Sequence, residues 1–217
     1  MEPLVDHSAS YGEKVMRWLR GTPVAGSMTK SPLILLISGW AGSGKDAAAA
    51  LLAEELGFAR YSFATALKID ASAETGIPLA DFHGHAAKDA ALTEPCYAFP
   101  QAKTPREVLL AYAARIRSHD PDVYARVMVK GIESEDVKRA VVSDWRLLKE
   151  HSYITQKMPQ ARIVTLRVTR AGVEPREEAI EHELDEFPFD LRIQNDGCIS
   201  DLRDALRHAL RSYLATA

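Results

Sequence analysis

The sequence predicts an α/β fold built on a mostly parallel, doubly wound sheet. Residues 33–52 read as an aliphatic strand, a glycine-rich loop and a helix in direct succession. Short apolar runs then alternate with helix-length amphipathic stretches, the pattern of strands joined by crossover helices. A length of 217 residues suits one medium domain whose core can fold alone.

The first strand, residues 33–38, is a run of aliphatics ending at Gly39. Gly39, Gly42 and Gly44 let the backbone curl so that successive amides point inward, which is the geometry of a phosphate cradle. The following helix turns its positive end toward the same point, and Lys45 brings a full charge to β- and γ-phosphates. ATP or GTP is therefore the expected ligand of residues 39–47. Ser or Thr commonly follows the lysine to bind Mg²⁺. Here Asp46 stands there, a hard oxygen ligand for Mg²⁺ directly or through water, and equally a residue suited to a helix start.

The helix of residues 46–56 stops at Gly57, and residues 58–63 alternate as a second strand. Residues 64–103 read as short helical pieces punctuated by Gly76, Pro78, Gly84, Pro95 and Pro100. Thr104-Pro105-Arg106-Glu107 is a capping-box start for a long helix. Asp120-Pro121 opens another, running to about residue 132. Residues 140–143 form a buried strand ending at Asp144, followed by a helix over 146–156 and a strand over 163–168. Residues 170–189 carry many charges, Pro175 and Pro188, and few apolar anchors, so they read as a mobile excursion. A short strand at 191–193, a turn at Asn195-Asp196-Gly197 and an amphipathic helix over 199–214 close the chain. Residues 1–31 look like an extension or linker, with a basic amphipathic helix over 11–20.

Composition excludes some classes. A net charge of −3 argues against a general nucleic-acid binder. No apolar run approaches the ~20 residues of a membrane span, and the acidic, polar start lacks a secretory pattern. Cys96 and Cys198 match no metal or redox spacing and suit a reducing cytoplasm. His83, His85 and His182 lack the cysteines or acids of a zinc site.

Asp144 falls at a strand end, the rim where open α/β sheets bind ligands, and can face Mg²⁺ there or simply cap the next helix. Arg146 can fork onto a phosphate or lie solvated. Lys68 and Arg106 can clamp an acceptor phosphate or be surface charges. Arg167, Arg170 and Arg176 lead into the charged stretch, where closing cations or plain Arg–Glu pairs both fit. Asp120, Asp122 and Tyr124 make a polar helix start that could supply an acceptor base.

Taken in order, several stretches resemble the deoxynucleoside monophosphate kinases of tailed bacteriophages, a branch of the P-loop nucleoside monophosphate kinases. They are Gly39-xxxx-Gly44-Lys45-Asp46, Phe63-Ala64-xx-Leu67-Lys68, Thr104-Pro105-Arg106-Glu107-Val108-Leu109 and Asp120-Pro121-Asp122-Val123-Tyr124, then Asp144-x-Arg146 with Glu150, His182-Glu183 and Ile193-x-Asn195-Asp196-Gly197. Together they span about residues 33–200, and Asp after the lysine is habitual in that family. The resemblance implies a P-loop three-layer fold with a five-stranded, mostly parallel sheet. Within a kinase domain of residues 32–217 it implies an acceptor-binding helical insertion over 64–135 and a lid over 170–189. It implies phosphorylation of a deoxynucleoside 5′-monophosphate to the diphosphate by ATP with Mg²⁺, in the cytoplasm of a host if phage-encoded.

The same resemblance suggests Lys45, Asp144, Arg146 and Arg170 as catalytic. Gly39, Ala41, Gly42, Ser43, Gly44, Lys45, Asp46 and Ala47 would bind ATP, with Asn195 and Gly197 near its adenine. Lys68, Arg106, Asp122, Arg146 and Glu150 would hold the acceptor, and Asp46 and Asp144 the metal. The chain departs from the family at Ala47, usually Thr, at Lys149-Glu150, usually Asn-Glu, and at Ala113-Ala114-Arg115, usually Gly-Thr-Glu. The last two fall where acceptor recognition would lie. A related reading has a modified pyrimidine, either free or in DNA, as the acceptor, such as 5-hydroxymethyluracil in DNA, favoured by a basic groove of Arg106, Arg115, Arg117, Arg126 and the lid. A third is a nucleotide-binding interaction module without turnover. The partners expected are small nucleotides, with DNA only in the second reading and no membrane; a homodimer is left open.

Overall fold

The computed structural model describes residues 31–175, 180 and 182–216. The predicted extension with its helix over 11–20, and Arg176, lie outside the described residues. Five strands are present: β1 Leu33–Ser38, β2 Ala59–Tyr61, β3 Arg139–Val142, β4 Arg162–Thr169 and β5 Leu191–Gln194. They pair in the order β2-β3-β1-β4-β5, every pair parallel. β1 is central, with Leu35 in register with Val141 on one side and Val164 on the other. That position explains its unbroken aliphatic run, because helices cover both faces of a parallel sheet.

Seven α-helices are described: α1 Lys45–Leu56, α2 Phe63–Thr75, α3 His85–Asp89, α4 Pro105–His119, α5 Val123–Ser134, α6 Leu148–Lys157 and α7 Ile199–Thr216. The described chain divides into two compact units, residues 64–127, and residues 31–63 with 128–216. In the sheet unit, Leu35, Ile37, Val141, Val164, Leu166 and Val168 pack with Leu51 and Leu52 of α1 and Leu202, Leu206 and Leu210 of α7. Glu55 on α1 pairs with both Arg203 and Arg207, joining the two helices across their outer edge.

The helical unit holds α3, α4, most of α2, the start of α5 and a short 3-10 turn, Leu79–Phe82. Phe82, Val108 and Tyr112 are buried there. Thr104 caps α4 as predicted, its hydroxyl accepting from Glu107 N at 3.2 Å. Glu107 returns the bond one residue early, to Lys103 N at 2.6 Å.

Several predicted bounds move for local reasons. The second strand stops at Tyr61 because Phe63 already begins α2. α5 begins at Val123, after Asp120 has accepted from Asp122 N at 3.3 Å to make a turn. α6 begins at Leu148, because the amides of Arg146 and Leu147 are held by the Glu150 carboxylate.

The reading of 170–189 as an excursion with few apolar anchors is corrected for its second half. Leu184 is buried, and the Phe187 and Phe189 rings meet Trp145 edge-on at 4.9 and 5.5 Å between centroids. Glu183 accepts from Leu148 N at 2.7 Å. The charges dominated the sequence pattern and hid three apolar anchors, Leu184, Phe187 and Phe189.

Candidate functional site

The loop from β1 to α1 is shaped by two left-handed glycines, Gly42 at φ 90° and Gly44 at φ 99°. Such values are strained for residues with a Cβ. Gly39 is required for a different reason: a Cβ there would come within 2.5 Å of both Ser43 Oγ and Val168 O. The loop is thus folded tightly back on itself and against β4. Lys45 is the first residue of α1 and only 8% exposed. Asp46 follows in the first turn and is exposed, as a carboxylate available to a cation must be.

Asn195 tightens this loop from the other end of the chain. Its Nδ2 donates to Ser43 O at 2.9 Å, and its own amide donates to Thr169 O at 2.8 Å. A Cβ on Gly44 would fall directly on Asn195 Nδ2. Asn195 is therefore a brace under the cradle, with its side chain buried. Gly197 is needed because a Cβ there would meet the Asp201 carboxylate, which caps α7 by accepting from Cys198 N at 2.8 Å.

Asp144 sits at the end of β3, where the sequence put it, yet it does not cap the next helix. Its carboxylate accepts from Ser62 Oγ at 2.7 Å and from Phe63 N at 2.9 Å, fixing the end of β2. Glu150 is buried and holds the amides of Arg146 and Leu147 at 3.2 and 3.1 Å, so it positions Arg146. Arg146 reaches a small hollow beside the loop, lined also by Ser38, Gly39, Trp40, Arg167 and two aliphatic side chains.

Arg167, which the sequence read as leading into the charged stretch, lies inside β4 and is 5% exposed. Its guanidinium donates to Ser38 Oγ at 3.0 Å and Asp185 Oδ1 at 2.8 Å, between the Trp40 and Phe189 rings. His182 Nδ1 adds a contact to Asp185 Oδ2 at 3.0 Å. Sequence reasoning did not single out Ser38, Trp40 and Asp185. Only the contiguity of Ser38-Gly39-Trp40 with the loop pointed toward them.

Arg170 follows β4 and is exposed. The remaining acceptor candidates belong to the helical unit. Arg106 forks onto Asp89, Nε to Oδ1 at 2.5 Å and Nη2 to Oδ2 at 3.1 Å. Arg115 pairs with Glu74, and Arg126 with Asp120. Lys68 lies on α2 and Asp122 just ahead of α5. Tyr112 is pushed up to about 12, by burial first and then by Asp70 and Glu74, so its hydroxyl stays protonated at neutral pH. Among the described residues no group of three or more His, Cys, Asp or Glu side chains is arranged to hold a metal. Asp46 and Asp144 would contribute one or two oxygens, and a Mg²⁺ ion would take the rest from phosphate and water, its usual habit. No described helix is long and apolar enough to cross a membrane.

A central parallel strand running through a glycine loop into a helix headed by a buried lysine is the P-loop arrangement. The site is thus that of an α/β protein with a P-loop. No protein-family model and no curated protein matches the chain. Solved structures similar to it include TT1252 from Thermus thermophilus, 18% identical, TM-score 0.47, covering 84% of this chain and 98% of that one. An APS kinase mutant of Mycobacterium tuberculosis is 12% identical, TM-score 0.43, with 84% and 99% covered. A gluconokinase from Sinorhizobium meliloti is 13% identical, TM-score 0.40, with 87% and 97% covered. Likenesses of this size transfer no activity.

Proposed function

We propose that the chain is an ATP-dependent phosphotransferase acting on a deoxynucleoside 5′-monophosphate. An acceptor phosphate oxygen would form a bond to the γ-phosphorus as the bond to the β–γ bridging oxygen breaks, leaving ADP and the nucleoside diphosphate. The observation that carries this reading is the loop itself. Two left-handed glycines, a helix N-terminus and a buried lysine converge between β1 and α1, and inward amides with a fixed cation suit a polyphosphate.

Lys45 would offset charge on the β- and γ-oxygens, and Arg146, held from behind by Glu150, would meet the acceptor. Arg170 would add a cation from the end of β4. A bound Mg²⁺ would neutralise phosphate charge beside Asp46. Residues 64–135 would supply the acceptor-binding insertion. Arg106 already forks onto Asp89, a pair that an acceptor phosphate would have to displace. The pairing of Arg106, Arg115 and Arg126 with acids also favours a free nucleotide over a DNA groove, which needs uncompensated cations.

The test is coupled ADP release across deoxynucleoside monophosphates, ribonucleoside monophosphates and 5-hydroxymethyluracil DNA. Turnover with a deoxynucleoside monophosphate, abolished in Lys45→Ala at unchanged melting temperature, is the expected result. Turnover only with DNA would move the acceptor assignment, and full activity in Lys45→Ala would remove the P-loop from the reaction.

A further inference from the structure

The two acids expected at the metal are placed differently. Asp46 is exposed in the first turn of α1. Asp144 is half-buried, and each of its oxygens already holds a donor. Oδ2 accepts from Ser62 Oγ at 2.7 Å and Oδ1 from Phe63 N at 2.9 Å. Phe63 is the first residue of α2. The first amides of a helix have no acceptor within it, and a carboxylate there also suits the positive end of the helix. Asp144 is thus a cap for α2 supplied from the end of β3.

The backbone beside that carboxylate is fixed against β1. Val142 of β3 is in register with Leu36 of β1, and Asp144 and Ser38 each follow two residues after that pair. The next amide, that of Trp145, donates to Ile37 O at 3.2 Å. Residues 144 and 145 therefore grip the strand that feeds the phosphate loop through the backbone, and the start of α2 through a side chain. That start has a special place in the chain. The boundary between the two compact units falls between Phe63 and Ala64, one residue into α2. Lys68 lies in the second turn of the same helix.

We propose that Asp144 is a positioning residue for the acceptor. By capping α2 it fixes, from β3, where the helix that carries Lys68 begins. It does so as a hydrogen-bond acceptor, which leaves Asp46 as the carboxylate that faces Mg²⁺. The acceptor role rests on the phosphotransfer reading above.

Asparagine is the informative substitution. Its Oδ1 can accept from Phe63 N and its Nδ2 can donate to the Ser62 hydroxyl, so both bonds survive while the charge a metal would use is gone. In residue-resolved ¹⁵N hydrogen exchange, Asp144→Ala should release the Phe63 amide about tenfold faster than the parent, and Asp144→Asn should stay within about threefold of it. In turnover, Asp144→Ala should raise the acceptor KM about tenfold, the scale of one bond to a charged group, at constant KM for ATP. Asp144→Asn should restore the parent's acceptor KM and its Mg²⁺ half-saturation. Ser62→Ala removes one bond and keeps the carboxylate; it should raise the acceptor KM in the same direction, and it serves where Asp144→Ala does not fold. An Asp144→Asn variant as impaired in acceptor KM as Asp144→Ala, or one needing far more Mg²⁺ than the parent, overturns the proposal in favour of a metal ligand. A Phe63 amide equally protected in every variant removes the cap itself. Failure of the phosphotransfer reading shows as a parent protein that turns over no monophosphate, and the acceptor role falls with it.

Discussion

Asn195 commits its amide to the Ser43 carbonyl and its flank to Gly44, so at the scale of single residues it shapes the cradle. Asn195→Ala should cost about 1 kcal/mol in urea unfolding, the value of one hydrogen bond, and should also weaken ATP binding by calorimetry. Gly44→Ala should weaken binding further, since φ 99° is unfavourable to alanine and its methyl would displace the Asn195 amide. Equal ATP affinity in both variants and the parent would show that the brace does not set the loop. Sequence alone named Gly44, Lys45 and Asn195, because loop chemistry leaves a local signature. It could not show that residues 44 and 195 touch, nor that Arg167 lies buried against Ser38, because through-space pairing leaves no spacing to read.

Among the elements, the stretch before β5 is the one whose character the sequence misjudged. Trp145 is 1% exposed and gathers His151, Phe187 and Phe189 around it. Trp145→Ala should destabilise the fold by about 3–5 kcal/mol, as large aromatic truncations in cores do, read from denaturant midpoints. Burial holds His151 below its ordinary value of 6.5, with Asp190 opposing the shift. As pH falls, the unfolded chain therefore takes up this proton before the folded one does. The stability conferred by neutral His151 is complete above pH 6.5 and is lost as pH drops through the depressed value. Melting temperatures followed from pH 7.5 to 5 should fall, and His151→Gln should flatten that slope. Had the slope persisted unchanged in His151→Gln, another group would be responsible.

For the sheet as a whole, order decides which part of the molecule opens last. β1 is paired along both edges, whereas β2 and β5 are the end strands of the sheet among the described residues. Native-state hydrogen exchange should therefore show Ile34 to Ile37 with the greatest protection and β2 and β5 with less; faster exchange in β1 than in β5 would contradict the pairing. The strands were legible one by one, from aliphatic runs and bounding glycines. Five of them in a parallel sheet also followed from the resemblance. Their lateral order was not legible, since it depends on which edges meet after the crossovers are made.

The bond from Asn195 to the Ser43 carbonyl spans 152 positions, and that separation has a consequence for biosynthesis. A chain leaving the ribosome presents every residue of the phosphate loop early, while the strand that steadies it is still unmade. Nucleotide affinity should thus arrive late and abruptly, when β5 docks, so stalled chains ending before Asn195 would pass an ATP-affinity resin that retains the longer ones.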